Sequence, residues 1–337
     1  MSGPWRIVDV TDPDDPLFTA WHAADAAGSS ADRPWYSVPS LASQQARLAP
    51  SLFDRFHAFV ALDGSGEVVG AGHAVVNLQG NRHFGWGGAA VPPAHRRQGI
   101  GTALLRHAED VVRPSGATYF LTQTSYPFAE RETHGDRRFL ESLGYALDLD
   151  EIHRTLALPV DPALLDRLAA EAAPAHAAYT VETWVHDVPE EHLDSWIAVH
   201  NKLGSDAPSG VVQFEEDGMD RASWLEEADR LRALGRELLT TVAISPDGEV
   251  VAYNDLVLQD NDTGRVSQWG TLVRTDHRGR RLGLAVKVRG LQELARRHPD
   301  RTEVVTTNAE VNDHMIAINA AVGFRPVAVV AGFYRVL

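Results

Sequence analysis

Cysteine is absent from all 337 residues, which together excludes a disulfide framework, thiolate metal sites and a cysteine nucleophile. Close histidine pairs are missing too. The 15 histidines include no HExxH or comparable spacing, so scattered satisfied histidines are expected rather than a metal centre. Long apolar runs are lacking, since no stretch approaches the roughly 18 residues of a membrane span. The start MSGPWRIVDV has neither a basic n-region nor an apolar h-region, and a cytoplasmic protein is expected. Basic charge is in deficit as well. With 31 Lys and Arg against 46 Asp and Glu, the formal charge is −15, which argues against nucleic acid or anionic membrane as partner, because phosphate contacts need clustered cations. Such a field suits a cationic amine. The cluster Glu215, Glu216, Asp217 and Asp220 reads first as a solvated face.

What is present is a chain too long for one ordinary domain, with 44% hydrophobic and 23% charged residues, typical of a globular pair. A search for self-similarity sets the architecture. Gly66-Glu67-Val68-Val69 recurs as Gly248-Glu249-Val250-Val251, Val91 as Val273, His95-Arg96 as His277-Arg278 and Gly101 as Gly283, all 182 residues apart. Near the end, Leu143-Gly144-Tyr145 answers Val322-Gly323-Phe324 at an offset of 179. The halves read as duplicated domains, 1–157 and 179–337, with the Pro- and Ala-rich 158–178 as a linker able to carry a helical segment.

Both halves repeat one order of elements. Apolar runs at 57–62 and 68–75 flank Asp63-Gly64-Ser65-Gly66, and runs at 239–244 and 250–258 flank Pro246-Asp247-Gly248, the pattern of hairpins. A strand, an Arg- and Gly-rich loop and a helix over 102–112 or 284–297 follow. Then come a strand at 118–121 or 303–305 and a short helix ending at Gly144 or Gly323, where glycine suits the left-handed cap. The fold class is α/β (α+β), each half having a mixed, mostly antiparallel sheet flanked by helices.

The loop after Val91 reads Arg96-Arg97-Gln98-Gly99-Ile100-Gly101-Thr102. Glycines at 99 and 101 allow close backbone approach, and a helix beginning there offers free N–H groups to a pyrophosphate. Neither the dinucleotide fingerprint nor the Walker pattern occurs there. A plain strand-to-helix turn is the alternative, and recurrence in the other half weighs against it.

At these residues the sequence resembles the GNAT acyltransferase superfamily, whose signature is Arg or Gln, two residues, Gly, one residue, Gly or Ala. Arg96, Gly99 and Gly101 match it. The resemblance implies acetyl-CoA or another acyl-CoA as donor, held by the amides of this loop with Val91 beside the pantetheine arm. The second loop, from Val273 through Arg278-Gly279-Arg280-Arg281-Leu282-Gly283-Leu284, departs from the signature. The repeat register puts Arg281 where the first glycine belongs, whereas a register on Arg280, Gly283 and Ala285 meets the signature formally. Arginines at 274, 278, 280 and 281 would add attraction to phosphates.

The segment from Thr307 to Phe324 resembles the family's second hallmark. It implies Asn308 and Asn312 near the pantetheine arm or the helix start, Asn312 also fitting an N-cap. Tandem members such as mycothiol synthase-like proteins share this arrangement. In the family a tyrosine of this helix often protonates the departing thiolate, but the matching places hold Asn319 and Leu140. The strands before the loops carry no carboxylate, leaving Asp255 as candidate base or ammonium ligand and Tyr334 as candidate acid. By resemblance, Asp206 belongs to a substrate-side loop. The expected function is direct N-acyl transfer to a small-molecule amine by a monomer or homodimer without metal, the second half forming much of the acceptor pocket. Two alternatives stay open: one half is a noncatalytic acyl-CoA-binding structural or sensor domain, or the whole chain is a noncatalytic binding module.

Overall fold

A computed structural model describes residues 5–216, 218–259 and 262–337. By its internal contacts the chain forms two units. The first takes the chain up to Asp150 together with Gly210–Val212 and Ala328–Leu337, and the second takes Glu151–Ser209 and Gln213–Val327.

In the first unit the order is β1 (Arg6–Val10), α1 (Pro16–Ser30), α2 (Leu41–Ala46), β2 (Asp54–Leu62), β3 (Val68–Asn77), β4 (Phe84–Ala90), α3 (Ile100–Val112), β5 (Tyr119–Tyr126) and α4 (Gly135–Ser142). β6 (Ala146–Ala157) leads out of it. The second unit continues with α5 (Pro162–Ala172), β7 (Thr180–Val185), α6 (Leu193–His200), α7 (Leu203–Asp206), α8 (Arg221–Ala233), β8 (Arg236–Ile244) and β9 (Val250–Gln259). β10 (Asp262–Val273), α9 (Leu282–Arg297), β11 (Glu303–Ala309), α10 (Asp313–Val322) and β12 (Arg325–Val336) complete the chain.

The two units have the same sheet logic. β1 to β4 pair antiparallel in sequence order, β4 then pairs parallel with β5, and β5 pairs antiparallel with β12. In the second unit β7 to β10 pair antiparallel, β10 pairs parallel with β11, and β11 pairs antiparallel with β6. Each hairpin turns on a glycine in the left-handed region, Gly66 at φ +89° and Gly248 at φ +85°, where a Cβ would be strained.

The unit division differs from the boundaries expected from sequence. It falls inside β6, and the last strand of the chain completes the first unit's sheet rather than the second's. The helical segment expected within 158–178 is α5. Asp161 caps α5 by accepting from Ala163 N, and Leu165 and Leu168 are buried in the core with Leu291 and Leu294 of α9. Apolar residues spaced by three decide this, each buried leucine contributing about 1.5–3 kcal/mol.

α3 buries Ile100, Leu104, Leu105, Ala108 and Val112, one face of a 3.6-residue period. On the opposite side of the first unit's sheet, Trp21 of α1 packs with Phe56 and Val75, and its Nε1 donates to Gly72 O at 2.8 Å. In the second unit Trp196 and Trp224, on α6 and α8, pack with Tyr253 and Val257. Of the acidic cluster, Asp220 caps α8 through Ser223 N and Glu216 pairs with Lys202, while Asp217 lies outside the described residues.

Candidate functional site

The two loops have the same backbone. In each, the chain leaves a strand at Val91 or Val273 and makes a short 3-10 turn, Pro93–His95 or Thr275–His277. It then passes through two left-handed residues, Arg97 (φ +63°) and Gly99 (φ +83°) in the first loop, Gly279 (φ +80°) and Arg281 (φ +55°) in the second. This settles the register. Arg281 occupies the place of Gly99, at a strain of about 1 kcal/mol for a residue with a Cβ.

Each helix that follows starts without a side-chain cap. Gly99 is the N-cap of α3 and Arg281 that of α9, and neither supplies a capping hydrogen bond. The first intrahelical bonds are Ala103 N to Gly99 O and Ala285 N to Arg281 O. The N–H groups of Ile100, Gly101 and Thr102, and of Leu282, Gly283 and Leu284, therefore lack a helical partner. They point where the helix dipole is positive, which suits an anion. Space is tight around them. A Cβ on Gly101 would come within 3.3 Å of the Phe139 ring, and one on Gly283 within 3.2 Å of Ile318 Cδ1.

The signature arginines shape the loops. Arg96 Nε donates to Val91 O at 3.0 Å and its NH2 group to Gly28 O at 3.3 Å. Arg278 Nε likewise donates to Val273 O at 3.2 Å, and its NH2 group pairs with Asp206 at 2.9 Å. The other basic residues of the second loop are also engaged. Arg274 pairs with Asp276 and Glu249, Arg280 donates to Asp276 O, and Arg281 donates to Glu171 O. Of these four, Arg274 and Arg278 have carboxylate partners, whereas Arg280 and Arg281 donate to neutral backbone carbonyls that leave their charge in place. Arg97 and Gln98 are exposed. Asp206, expected on a substrate-side loop, ends α7, and its carboxylate accepts from Arg278 and Thr275 of the second loop.

Next to each loop two parallel strands part. β4 and β5 pair only from Phe84–Tyr119 to Trp86–Leu121, and β10 and β11 only from Arg265–Glu303 to Ser267–Val305. Beyond these points a wedge opens between the strands. In the second unit its root is bridged, because Gln268 Nε2 donates to Thr306 Oγ1 at 3.2 Å and Thr306 Oγ1 donates to Gln268 O. β10 also carries an irregularity between Gln268 and Thr271.

Residues 24–145, which hold the first loop, its helix and its wedge, match the model of the acetyltransferase (GNAT) family. Over this stretch the chain is similar to the GNAT acetyltransferases. The chain is 26% identical over 248 residues to a mycothiol acetyltransferase of Clavibacter sepedonicus, covering 73% of this chain and 71% of that one. Its fold is that of a tandem GNAT protein from the clavulanic acid biosynthesis pathway, with TM-score 0.74, 24% identity and 98% of each chain covered. A GCN5-related N-acetyltransferase from Sphaerobacter thermophilus aligns with TM-score 0.67 and 16% identity over 100% of this chain and 96% of its own.

The remaining candidates fall in different places around the GNAT fold. Tyr334 on β12 lies opposite Leu121 in the first unit, edge-on to Tyr119 with ring centroids 6.0 Å apart. Asp255 lies on β9 in the second unit and is only 4% exposed. Thr240 Oγ1 donates to its Oδ1 at 2.7 Å. Burial pushes this carboxyl up to about 7, against the smaller opposing effect of the threonine. The candidate acid and the candidate base are thus not in one unit.

Asn312 caps α10, its Oδ1 accepting from Met315 N at 3.1 Å. Asn308 is buried in a polar string. Its Oδ1 accepts from Arg154 Nε and Asn319 Nδ2, and Asn319 Oδ1 accepts from Lys287 Nζ at 2.7 Å. Lys287 is fully buried, which brings its ammonium down to about 7. The sequence reading missed this lysine, although a signal existed. It stands in the buried stripe of α9 with Gly283, Gly290, Leu291 and Leu294, and its counterpart 182 residues earlier is the buried Leu105.

Proposed function

We propose that the protein transfers an acetyl group from acetyl-CoA to the amine of a small molecule, with the donor held by the first unit. The observation that carries this reading is the uncapped start of α3 behind Gly99, where the first three N–H groups of the helix have no helical partner. In the proposed complex the N–H groups of Ile100, Gly101 and Thr102 take the pyrophosphate. Val91 and the parted stretch of β4 lie along the pantetheine arm, and Arg96 keeps the loop in shape rather than meeting the phosphate.

Transfer is direct, consistent with a chain that has no cysteine to hold the acyl group. The amine nitrogen attacks the thioester carbon, the C–S bond breaks, and the sulfur departs as a thiolate that needs a proton. Tyr334, on the strand that completes the first sheet, is the candidate donor of that proton. Asp255 is a candidate only for a reaction in the second unit. The acidic balance of the chain favours a cationic acceptor, and acetyl is the group named in the curated relative. We place the protein in the cytoplasm as monomer or homodimer, working without metal. Among the described residues no helix is long and apolar enough to cross a membrane.

A second reading has support of its own. With Arg281 at the glycine position, its arginines engaged and its wedge bridged at Gln268, the second unit fits a noncatalytic domain that is structural or senses acyl-CoA. Release of free thiol from acetyl-CoA, followed with a panel of small primary amines, tests the main proposal. Turnover with at least one amine is expected, and a panel without any turnover contradicts it.

A further inference from the structure

The 182-residue register has a counterpart for Asp255 that differs in chemistry. It is His73. The cross-strand partners agree, since His73 lies opposite Ala58 on β2 and Asp255 opposite Thr240 on β8, themselves 182 apart. On its other side His73 is paired with Gly88 of β4, two residues past the last β4–β5 pair. The imidazole lies across that glycine, so that a Cβ there would come within 2.8 Å of His73 Cε1. The ring thus covers the backbone of β4 where β5 has left it, at the root of the wedge.

The two counterparts differ in access. Asp255 is closed off beneath Thr240, whereas His73 is half-buried. Its ring stacks on Phe56 with centroids 5.9 Å apart, and the Arg47 guanidinium sits 4.0 Å from the centroid of that same Phe56 ring. The charged and titratable groups sharing this region are Arg47 after α2, His22 and Asp25 of α1, and Tyr36 in the loop that follows. Asp25 is held above the usual carboxylate range by burial, against the opposing influences of His22, Ser29 and Arg47.

We propose that His73 is the proton acceptor for the amine, and that acyl transfer takes place in the first unit. This deepens the reading above and rests on it. An ammonium entering the site gives one proton to the neutral imidazole. The amine lone pair then attacks the thioester carbon, the C–S bond breaks with its electrons going to sulfur, Tyr334 protonates the thiolate, and the second proton of the nitrogen replaces the one that Tyr334 gave. The imidazolium returns its proton to solvent. Burial, and then Arg47, hold the ring down to about 4, so it is neutral and able to accept at pH 7. An ammonium brought into the same desolvated space beside Arg47 is made more acidic by the same two causes, which brings the transfer nearer to balance.

The test uses the full chain and the amine that turns over fastest in the panel, comparing the wild type with His73→Ala and His73→Gln. Both variants should bind acetyl-CoA within about threefold of the wild type while kcat falls by roughly 100-fold or more. Added imidazole should restore His73→Ala at least tenfold. In the variants kcat/KM should climb about tenfold per pH unit up to the pKa of the amine, because only amine that is already neutral reacts. Unchanged kcat and an unchanged pH profile in His73→Ala would overturn the inference and leave donor binding standing. No turnover by the wild type with any amine would overturn the parent reading along with it.

Discussion

The environment of Asp255 makes the stability of the folded state depend on pH. Its carboxyl titrates near 7 when folded, against an ordinary value of 3.8. Between those values the native state holds a proton that the unfolded chain releases. Stability from this site therefore falls as pH rises from about 4 to about 7, and the penalty of the buried charge is complete above that. Asp255→Asn should be more stable than the wild type by roughly 4 kcal/mol at pH 8 and nearly equal to it at pH 4. Urea unfolding at both values measures this, and a difference independent of pH would contradict burial of the carboxylate as its origin. At this scale the sequence was partly legible. Gly99, Gly101 and the capping Asn312 could be read because loop and cap chemistry are local. His73 was not, since the repeat was traced on identical residues and a histidine facing an aspartate leaves no identity to find. Lys287 was hidden by its type, because a lysine in an amphipathic helix normally faces water.

Strands and helices followed their local patterns well, and what escaped was their partners. The apolar, valine-rich run of β12 suits a strand, but nothing local says that it pairs with β5, more than 200 residues earlier. The pairing runs from Val329–Tyr126 to Val336–Tyr119, and Ala328, Val329, Ala331 and Phe333 of this strand are fully buried. Ending the chain after Val327 should therefore unfold the first unit, with its near-UV dichroism and acetyl-CoA binding both lost, because β5 would keep an open apolar edge. A truncated protein that keeps its acetyl-CoA affinity would contradict this role for β12. The helical segment expected within 158–178 is present as α5, but its packing was not legible for a related reason, since Leu165 and Leu168 gain their place only against α9.

At the scale of the whole molecule the duplication is visible in sequence and in structure, yet the copies are not equivalent. Both keep the hairpin, the uncapped helix start and the parted strands. The first keeps both loop glycines, while the second has Arg281 in a left-handed position and its basic side chains turned to protein partners. Donor binding by the first loop is therefore best tested by calorimetric titration of acetyl-CoA into the full chain and its Gly101→Val and Gly283→Val variants. Micromolar binding by the wild type is expected, weakened at least tenfold, or about 1.4 kcal/mol, by Gly101→Val and within about threefold of the wild type in Gly283→Val. Absence of binding, or affinity untouched by Gly101→Val, would contradict a donor site at the start of α3.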